Sequence, residues 1–236
     1  MSSGSYNENF KVNYNVDLVF CIDATGSMEP IIGAVKGRAL NFYSDVMRAM
    51  DKKKKKIGTL RIRVIAFRDY MASVTDGIEP MLVTEFFTLP ENSEAFASCI
   101  NSIRAEGGGD IPEDGLEALG YAIKSKWNEE GNKRRQVIVV WTDAPTHEIG
   151  FGKTAPGYPG GMAKTFSELT AWWGDSQSPG FISEQGKRLL LFTPEDVYWS
   201  TVSDTWNNTL HFPSIAGEGL SEYTLEEILD AIANSV

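Results

Sequence analysis

A carboxylate and two hydroxyl groups follow the first apolar segment of the chain. The segment Val16–Ile22 has the composition of a buried strand, and Asp23, Thr25 and Ser27 come directly after it at alternate positions. Pro30 then begins a helical pattern, as proline often does in the first turn of a helix. Carboxylate and hydroxyl oxygens are the ligands that hard divalent cations prefer. The turn therefore predicts part of a cation site.

Two further acidic residues lie in loops that are expected to reach the same place. Asp143 follows the apolar run Val137–Thr142, and Asp110 lies in the glycine-rich stretch GGGDIPED. Because ligands of open α/β sheets bind beyond the carboxyl ends of the strands, we expect the three loops to converge. The predicted metal ligands are Asp23, Thr25, Ser27, Asp110 and Asp143.

The expected donor set consists of oxygen atoms alone. This predicts Mg²⁺, with Mn²⁺ or Ca²⁺ as alternatives, rather than a soft metal. The chain has only two His and two Cys, and Cys21 and Cys99 fall in a predicted strand and a predicted helix. We interpret both as buried, unpaired thiols. A cation would also offset the mutual repulsion of three neighbouring carboxylates.

Each predicted ligand also has a purely structural interpretation. Asp23 can brace the turn, and the hydroxyls of Thr25 and Ser27 can accept hydrogen bonds from backbone N–H groups. Asp110 can cap a helix that begins at a proline, and Asp143 can form an Asx-turn. One bound cation accounts for all five residues together, so the metal site is the preferred prediction.

Apolar runs alternate with helical patterns along the chain, which predicts the elements that position these loops. The predicted strands are Val16–Ile22, Leu60–Phe67, Met81–Phe87, Val137–Thr142, Leu189–Phe192 and Leu210–Pro213. The predicted helices are Pro30–Lys52, Ser93–Arg104, Pro112–Trp127, Phe166–Trp173, Pro194–Trp206 and Thr224–Asn234, with Glu113 and Asp114 in the first turn of the third and Ser221 ahead of the last. Strands rich in Val, Ile and Leu predict an α/β fold with a mostly parallel sheet covered by helices on both faces. Met81–Phe87 follows Leu60–Phe67 without a predicted helix, so it is expected to be one antiparallel edge strand.

One segment, Ala144–Ala163, has no helical or strand period and is rich in Gly and Pro. Loops of this length inside a domain are usually functional or disordered. His147 lies at its start and is interpreted as part of a loop that packs against the sheet.

Composition and charge limit the classes of protein. With 236 residues, 42% of them hydrophobic, the chain predicts one α/β domain at residues 15–236 after a flexible segment at residues 1–14. A net charge of −10 argues against nucleic acid as a partner, because phosphate binding needs a cationic surface. The sequence contains no apolar run of membrane-span length, and its start, MSSGSYNENF, lacks a signal core. Together with the unpaired cysteines, this predicts a cytoplasmic location.

The motif DATGSM resembles the D-x-[ST]-x-S motif of von Willebrand factor type A (vWA) domains, which form a metal-ion-dependent adhesion site. FRDY at Phe67–Tyr70, GGGDIPED at Gly107–Asp114 and TDAPTH at Thr142–His147 resemble a subgroup found in hemicentin-like proteins and in modules attached to alpha-kinases. The resemblance runs from Val16 to the end of the chain. It implies a Rossmann-like sheet with the metal at its carboxyl edge, where Asp23, Thr25 and Ser27 match the first-loop ligands and Asp143 matches the late acidic residue.

One position departs from the integrin-type members of this family. Where they offer a threonine hydroxyl, the matching position here is Asp110. A divalent cation bound by three carboxylates is net negative, so an acidic side chain from a partner would gain less from binding it. We therefore expect tighter cation retention and weaker partner capture, and expect Asp110→Thr to weaken Mg²⁺ binding.

The resemblance implies a binding module, not an enzyme, that holds a protein partner whose acidic side chain completes the metal coordination. One alternative is a Mg²⁺-dependent phosphatase of the haloacid dehalogenase type, with Asp23 as nucleophile. Such enzymes usually carry a second Asp two residues on, and this chain has Thr25 there. The other alternative is a scaffold whose metal only makes the loops rigid.

Overall fold

A mostly parallel β-sheet forms the middle layer of the fold. The computed structural model describes residues 13–108, 112–131 and 133–236. Their strands are β1 (Asn13–Asp23), β2 (Lys56–Phe67), β3 (Met81–Val83), β4 (Phe87–Leu89), β5 (Arg134–Trp141), β6 (Lys187–Pro194) and β7 (Thr209–Ser214). They form one sheet in the order β3-β2-β1-β5-β6-β7, in which β4 also pairs with β2. β1 pairs in parallel with β2 and β5, β6 with β5 and β7, and only β3 and β4 are antiparallel to their neighbour. The predicted α/β class and mostly parallel sheet are confirmed.

Helices cover both faces of this sheet. Within the described residues they are α1 (Glu29–Arg38), α2 (Phe42–Lys52), α3 (Tyr70–Asp76), α4 (Ser93–Ser102), α5 (Gly115–Ile123), α6 (Phe166–Trp173), α7 (Val197–Thr205) and α8 (Leu225–Ser235). None of the helices in the described part of the chain is long and apolar enough to cross a membrane.

The central strand β1 is apolar because both of its faces are buried. Leu18, Phe20 and Ile22 point into a core that they share with α1, α2, α4 and α8. Val19 and Cys21, at the alternate positions, point into a second core with α5, α6 and α7. Side chains alternate between the faces of a strand, so a continuous apolar run is what a strand between two helix layers requires.

The bounds predicted for the edge strand, Met81–Phe87, are wrong. Two short strands, β3 and β4, lie there instead, and both run antiparallel to β2 as predicted. Between them the hydroxyl of Thr84 accepts a hydrogen bond from the backbone N–H of Val64 at 3.0 Å. A side-chain oxygen thus takes the place of a ladder carbonyl, and the regular pairing stops at that residue.

The interval between β2 and β3, predicted to lack a helix, contains α3. Asp69 caps this helix, because its carboxylate accepts hydrogen bonds from the backbone N–H groups of Met71 at 2.7 Å and Ala72 at 3.2 Å. Gly77 ends it in the left-handed conformation, with φ of 68°. The helix has seven residues and leaves Met71 and Val74 exposed. Its apolar period is therefore too short and too irregular to be read from the sequence.

The helix predicted at Pro30–Lys52 is divided into α1 and α2 by a 3₁₀ turn at Ala39–Asn41. Ala39 and Phe42 are both buried in the first core. A 3₁₀ turn has three residues per turn, so it brings these two side chains onto one face, whereas a continuous α-helix would separate them by about 60°.

The helix predicted from Pro112 to Trp127 begins at Gly115 and ends at Ile123. Its predicted first turn is not helical, because Glu113 forms a parallel bridge with Thr146. The backbone N–H of Glu113 donates to Pro145 and its carbonyl accepts from His147. This pairing holds the segment before α5 in an extended form, next to the loop that follows β5.

The remaining helices lie close to their predicted bounds. Phe166–Trp173 is correct at both ends, and α4 stops at Ser102. Pro194 ends β6, and Asp196 caps α7 by accepting from the backbone N–H of Trp199. Thr224, not Ser221, caps α8, through a capping box with Glu227.

The segment Ala144–Ala163 contains neither a helix nor a strand apart from the single bridge at Thr146. Cys21 is buried and Cys99 is half-buried, and both are free thiols. The lack of regular structure and the two free thiols agree with the sequence predictions, but Cys99, which was predicted to be buried, is only half-buried. Residues 1–12 of the expected flexible segment lie outside the described residues.

Candidate metal centre

The carboxyl ends of β1 and β5 meet at the point where the order of the strands reverses. From β1 the chain continues into β2 on one side, whereas β5 lies on the other side, with Ile22 opposite Trp141. Asp23 is the last residue of β1, and Asp143 follows the end of β5 by two residues. In open α/β sheets this crevice is the usual place for a ligand.

Asp23 is buried, and hydrogen bonds from two sides hold its carboxylate. Oδ1 accepts from the backbone N–H of Thr25 at 2.9 Å and from its hydroxyl at 2.6 Å. Oδ2 accepts from the hydroxyl of Thr142, just beyond β5, at 2.6 Å. The first contacts close the tight turn after β1, and the third connects that turn to the neighbouring strand.

The remaining oxygens continue from this carboxylate toward the surface. The hydroxyls of Thr25 and Ser27 lie 3.5 Å apart, and Ser27 donates to Asp143 Oδ1 at 2.9 Å. Asp143 Oδ2 accepts from the backbone N–H of Gly219 at 2.8 Å. Asp23, Thr25 and Asp143 are buried, while Ser27 is exposed. Four of the five predicted ligands thus form one continuous oxygen cluster that reaches solvent; the fifth, Asp110, lies outside the described residues.

The loop after β7 is a part of this centre that sequence reasoning missed. Gly219 has φ of 60°, and a Cβ atom there would lie 2.3 Å from the backbone oxygen of Ser27. Only glycine allows this backbone to approach so closely and to donate to Asp143. The stretch IAGEG, with two glycines in five residues, was the available sequence signal.

The loop before Pro112 docks on the turn after β1, as the expected convergence requires. Glu106 donates its backbone N–H to the carbonyl of Ala24 at 3.0 Å, and Gly26 donates to Gly107 at 3.3 Å. Gly108 follows with φ of 84°, and a Cβ atom there would lie 2.8 Å from Cβ of Thr25. The described part of this loop therefore lies against the first turn of the cluster.

Arg68 supports that loop from below. Its guanidinium donates to the carbonyls of Glu79, Arg104 and Glu106 at 3.1, 2.5 and 2.9 Å. Burial lowers the pKa of Arg68, while the negative charges of Glu106 and Asp23 oppose this shift. The guanidinium donates to backbone carbonyls and not to the acids of the centre. Its role is therefore to fix the shape of the loop.

The acids at this edge of the sheet are poorly neutralised. Burial raises the pKa of Asp23 to about 6. The hydrogen bonds from Thr142 and Thr25 act in the opposite direction and lower this pKa, whereas the negative charge of Asp143 raises it further. Burial and then the charge of Asp23 raise the pKa of Glu113 to about 9. Oε2 of Glu113 has no hydrogen-bond partner among the described residues. Sequence reasoning placed Glu113 in a helix and missed it as a neighbour of the centre, although it lies within the GGGDIPED motif.

The donor set fits a hard divalent cation. The four clustered side chains offer carboxylate and hydroxyl oxygens, with no nitrogen or sulfur among them. Mg²⁺, Mn²⁺ and Ca²⁺ take such ligands, and the negative charge of two buried carboxylates calls for a cation. The unpartnered Oε2 of Glu113 adds another acceptor at the same edge of the sheet.

Comparison with known proteins agrees with this fold and these motifs. The family model of the von Willebrand factor A domain matches residues 17–151. Alpha-protein kinase vwkA of Dictyostelium discoideum is 29% identical over 148 residues, which are 62% of this chain and 21% of the kinase. The chain thus spans about a fifth of the length of this relative.

Two solved structures share the fold at low sequence identity. The pilus adhesin SpaC from Lactobacillus rhamnosus GG, in its open conformation, matches 95% of this chain and 30% of its own with 15% identity and a TM-score of 0.51. The minor pilin PilB from Streptococcus sanguinis matches 95% of this chain and 61% of its own with 11% identity and a TM-score of 0.53. The family model covers more than half of the sequence, and the chain belongs to the von Willebrand factor A domain family.

Proposed function

We propose that this chain is a divalent-cation-binding domain that holds a protein partner through a metal-ion-dependent adhesion site at the carboxyl edge of its sheet. Mg²⁺ is the preferred cation, with Mn²⁺ and Ca²⁺ as alternatives. The observation that carries the proposal is the continuous oxygen cluster of Asp23, Thr25, Ser27 and Asp143 at the ends of β1 and β5.

The residues of the cluster would have different roles in holding a cation. Asp23 and Asp143 supply its negative charge, and the hydroxyls of Thr25 and Ser27 supply neutral oxygens between them. Thr142 and Gly219 hold the two carboxylates in place by donating to the oxygens Asp23 Oδ2 and Asp143 Oδ2. A cation bound there would offer a coordination position to an oxygen ligand from outside the chain.

The exposed end of the cluster supports a binding role over a purely structural one. Ser27 and Gly26 are exposed, and the loop that carries Gly219 also exposes the apolar side chain of Ile215. A ligand from a partner could therefore reach the centre at Ser27 and Gly26. We infer that the partner contributes an acidic side chain, captured less tightly than in integrin-type domains because Asp110 would add a third carboxylate where those domains have a threonine.

The phosphatase alternative finds less support. Asp23 is fully buried, whereas the nucleophile of a phosphatase must reach the phosphorus atom of its substrate. The position two residues on, where a general acid would stand, is Thr25, and its hydroxyl donates to Asp23 itself.

Water-proton relaxation of the Mn²⁺-loaded protein distinguishes binding from scaffolding. An open coordination position holds an exchanging water, so we expect enhanced relaxation that falls when acetate, a mimic of an acidic side chain, is added. Bound Mn²⁺ with no exchangeable water would overturn the adhesion-site proposal in favour of a scaffold. The matched control is Ser27→Ala, which removes one neutral ligand and should weaken Mn²⁺ binding without removing a charge.

A further inference from the structure

A second group of potential ligands shares no residue with the oxygen cluster described above. It consists of Asp69, which follows β2, Asp114, which precedes α5, and His147, which lies in the loop after β5. One ligand atom of each residue lies within 4.8 Å of the corresponding atoms of the other two. Three segments that are distant in sequence thus bring two carboxylates and one imidazole to a single point.

This point is almost closed to solvent. Asp114 is 0% and Asp69 1% exposed, while the side chain of His147 is 11% exposed. Oδ2 of Asp114 accepts from the backbone N–H of Tyr70 at 2.7 Å, but its Oδ1 has no hydrogen-bond partner among the described residues. A buried carboxylate oxygen without a donor is costly unless something else satisfies it.

The first turn of α3 fixes both carboxylates. Asp69 accepts from the N–H groups of Met71 and Ala72, and Asp114 accepts from the N–H of Tyr70, which precedes them. These contacts use N–H groups that a helix leaves unsatisfied at its start. Hydrogen bonds from consecutive N–H groups therefore keep the two acids next to each other.

Contacts around His147 fix the imidazole in the same way. Its backbone N–H donates to the carbonyl of Glu113 at 2.9 Å, and its ring stacks on Phe151 with centroids 3.8 Å apart. Nε2 lies 3.9 Å from Asp69 Oδ2, which is too long for a hydrogen bond and close enough for both atoms to bind one ion. Supporting contacts that orient each ligand are a general feature of metal sites.

We propose that Asp69, Asp114 and His147 form a second cation site, selective for a divalent transition metal such as Zn²⁺ or Ni²⁺. An imidazole nitrogen with two carboxylates suits these ions, whereas Mg²⁺ and Ca²⁺ prefer oxygen ligands alone. Three protein ligands leave a further position for water, as in open zinc sites. The site shares no residue with the oxygen cluster and does not depend on the proposed adhesion role.

Cobalt absorption tests the site directly, with Co²⁺ standing in for Zn²⁺. Metal-free protein is titrated with Co²⁺ in excess Mg²⁺, and strong visible absorption bands report four- or five-coordinate Co²⁺ bound by the protein. We expect these bands in the wild type and in Asp23→Asn, and expect apparent Co²⁺ affinity to fall about tenfold or more in His147→Gln. The control, His211→Gln, alters the other histidine of the chain and should bind Co²⁺ like the wild type.

A second measurement covers the case in which His147→Gln does not fold. Zn²⁺ added to wild-type protein should shift the ring-nitrogen NMR signals of His147 and leave those of His211 unchanged, and Asp114→Asn should abolish the shift. Wild-type protein that binds no Co²⁺ or Zn²⁺, or binding that is lost in Asp23→Asn but kept in His147→Gln, would overturn the proposal. Mg²⁺ binding to the oxygen cluster, measured by calorimetry, should persist in His147→Gln. The adhesion-site proposal is therefore tested independently of the second site.

Discussion

At the scale of single residues, the centre depends on how one buried carboxylate is held. Thr25 and Thr142 donate to opposite oxygens of Asp23, so the group is oriented before any cation binds. Oδ2 of Asp23 keeps a second lone pair, so a cation can bind there while Thr142 still donates to the same oxygen.

Thr142→Val tests this orientation. The substitution keeps the shape of the residue but removes the 2.6 Å hydrogen bond to Asp23 Oδ2. We expect a loss of about 1.5–3 kcal/mol in the free energy of unfolding of the cation-free protein, the usual value for a hydrogen bond to a charged group, and a weaker affinity for Mg²⁺. Urea unfolding and calorimetry measure the two effects.

The matched control is Thr193→Val, at another buried threonine near the carboxyl end of the neighbouring strand β6. Its hydroxyl lies against His211 and does not touch the oxygen cluster. Equal Mg²⁺ affinities in the two variants would show that Thr142 has no part in the centre.

The site residues that could be predicted are those whose role is visible in the neighbouring sequence. Asp23, Thr25 and Ser27 stand in one turn, and Asp143 stands at a strand end, so spacing alone brings them to one edge of the sheet. Asp69 and Asp114 could not be assigned in this way. Each has a local helix-start pattern, and only the folded chain places their carboxylates together.

At the scale of elements, loops rather than helices and strands complete the centre. The sheet and most helices follow from apolar periodicity, which is why their order could be predicted. The start of α5 could not, because Glu113 pairs with Thr146, more than thirty residues away, and this long-range contact overrides the local helix signal of Pro112. The same contact brings the GGGDIPED and TDAPTH motifs side by side.

Gly219→Ala tests the role of the loop after β7. The new Cβ atom would lie 2.3 Å from the Ser27 carbonyl oxygen in a backbone with φ of 60°. We expect the loop to move away from Ser27. Asp143 would then lose the hydrogen bond from the N–H of residue 219, and Mg²⁺ affinity would fall. Thermal unfolding and Mg²⁺ calorimetry follow the change.

Gly217→Ala separates the steric effect from the backbone effect. Gly217 has φ of 79° in the same loop, but a Cβ atom there would meet nothing within 4 Å. The Gly217→Ala substitution should lower the free energy of unfolding by about 1 kcal/mol, because alanine is strained at positive φ, and should leave Mg²⁺ affinity near the wild-type value. Identical losses of affinity in both variants would contradict the contact between this loop and Ser27.

At the scale of the whole molecule, one edge of the sheet gathers buried acids whose pKa values are raised. They are Asp23, at about 6, Asp114, at about 8, and Glu113, at about 9, and burial is the largest cause in each case. In the folded, cation-free protein these groups hold protons that the unfolded chain releases near pH 4. Stability from this source is therefore complete below about pH 4 and is lost as the pH rises through the folded pKa values.

This linkage predicts the pH dependence of the cation-free protein. In EDTA, the free energy of unfolding should decline between pH 5 and about 9, because over this range the unfolded chain binds fewer protons than the folded chain. Excess Mg²⁺ should reduce the decline, since it favours the ionised carboxylates of the centre. Denaturant unfolding at several pH values measures both curves, and a stability that rises with pH in EDTA would be incompatible with these buried acids.

The central claim is that Asp23 and its neighbours bind a divalent cation. Calorimetric titration of metal-free protein with Mg²⁺ and Ca²⁺ tests it most directly, beside Asp23→Asn and the control Asp17→Asn, which neutralises another buried Asp of the same strand, paired with Arg61. We predict saturable binding in the wild type and in Asp17→Asn, and none at the same concentrations in Asp23→Asn. Folded wild-type protein that binds neither ion, or Asp23→Asn that binds like the wild type, would contradict the account.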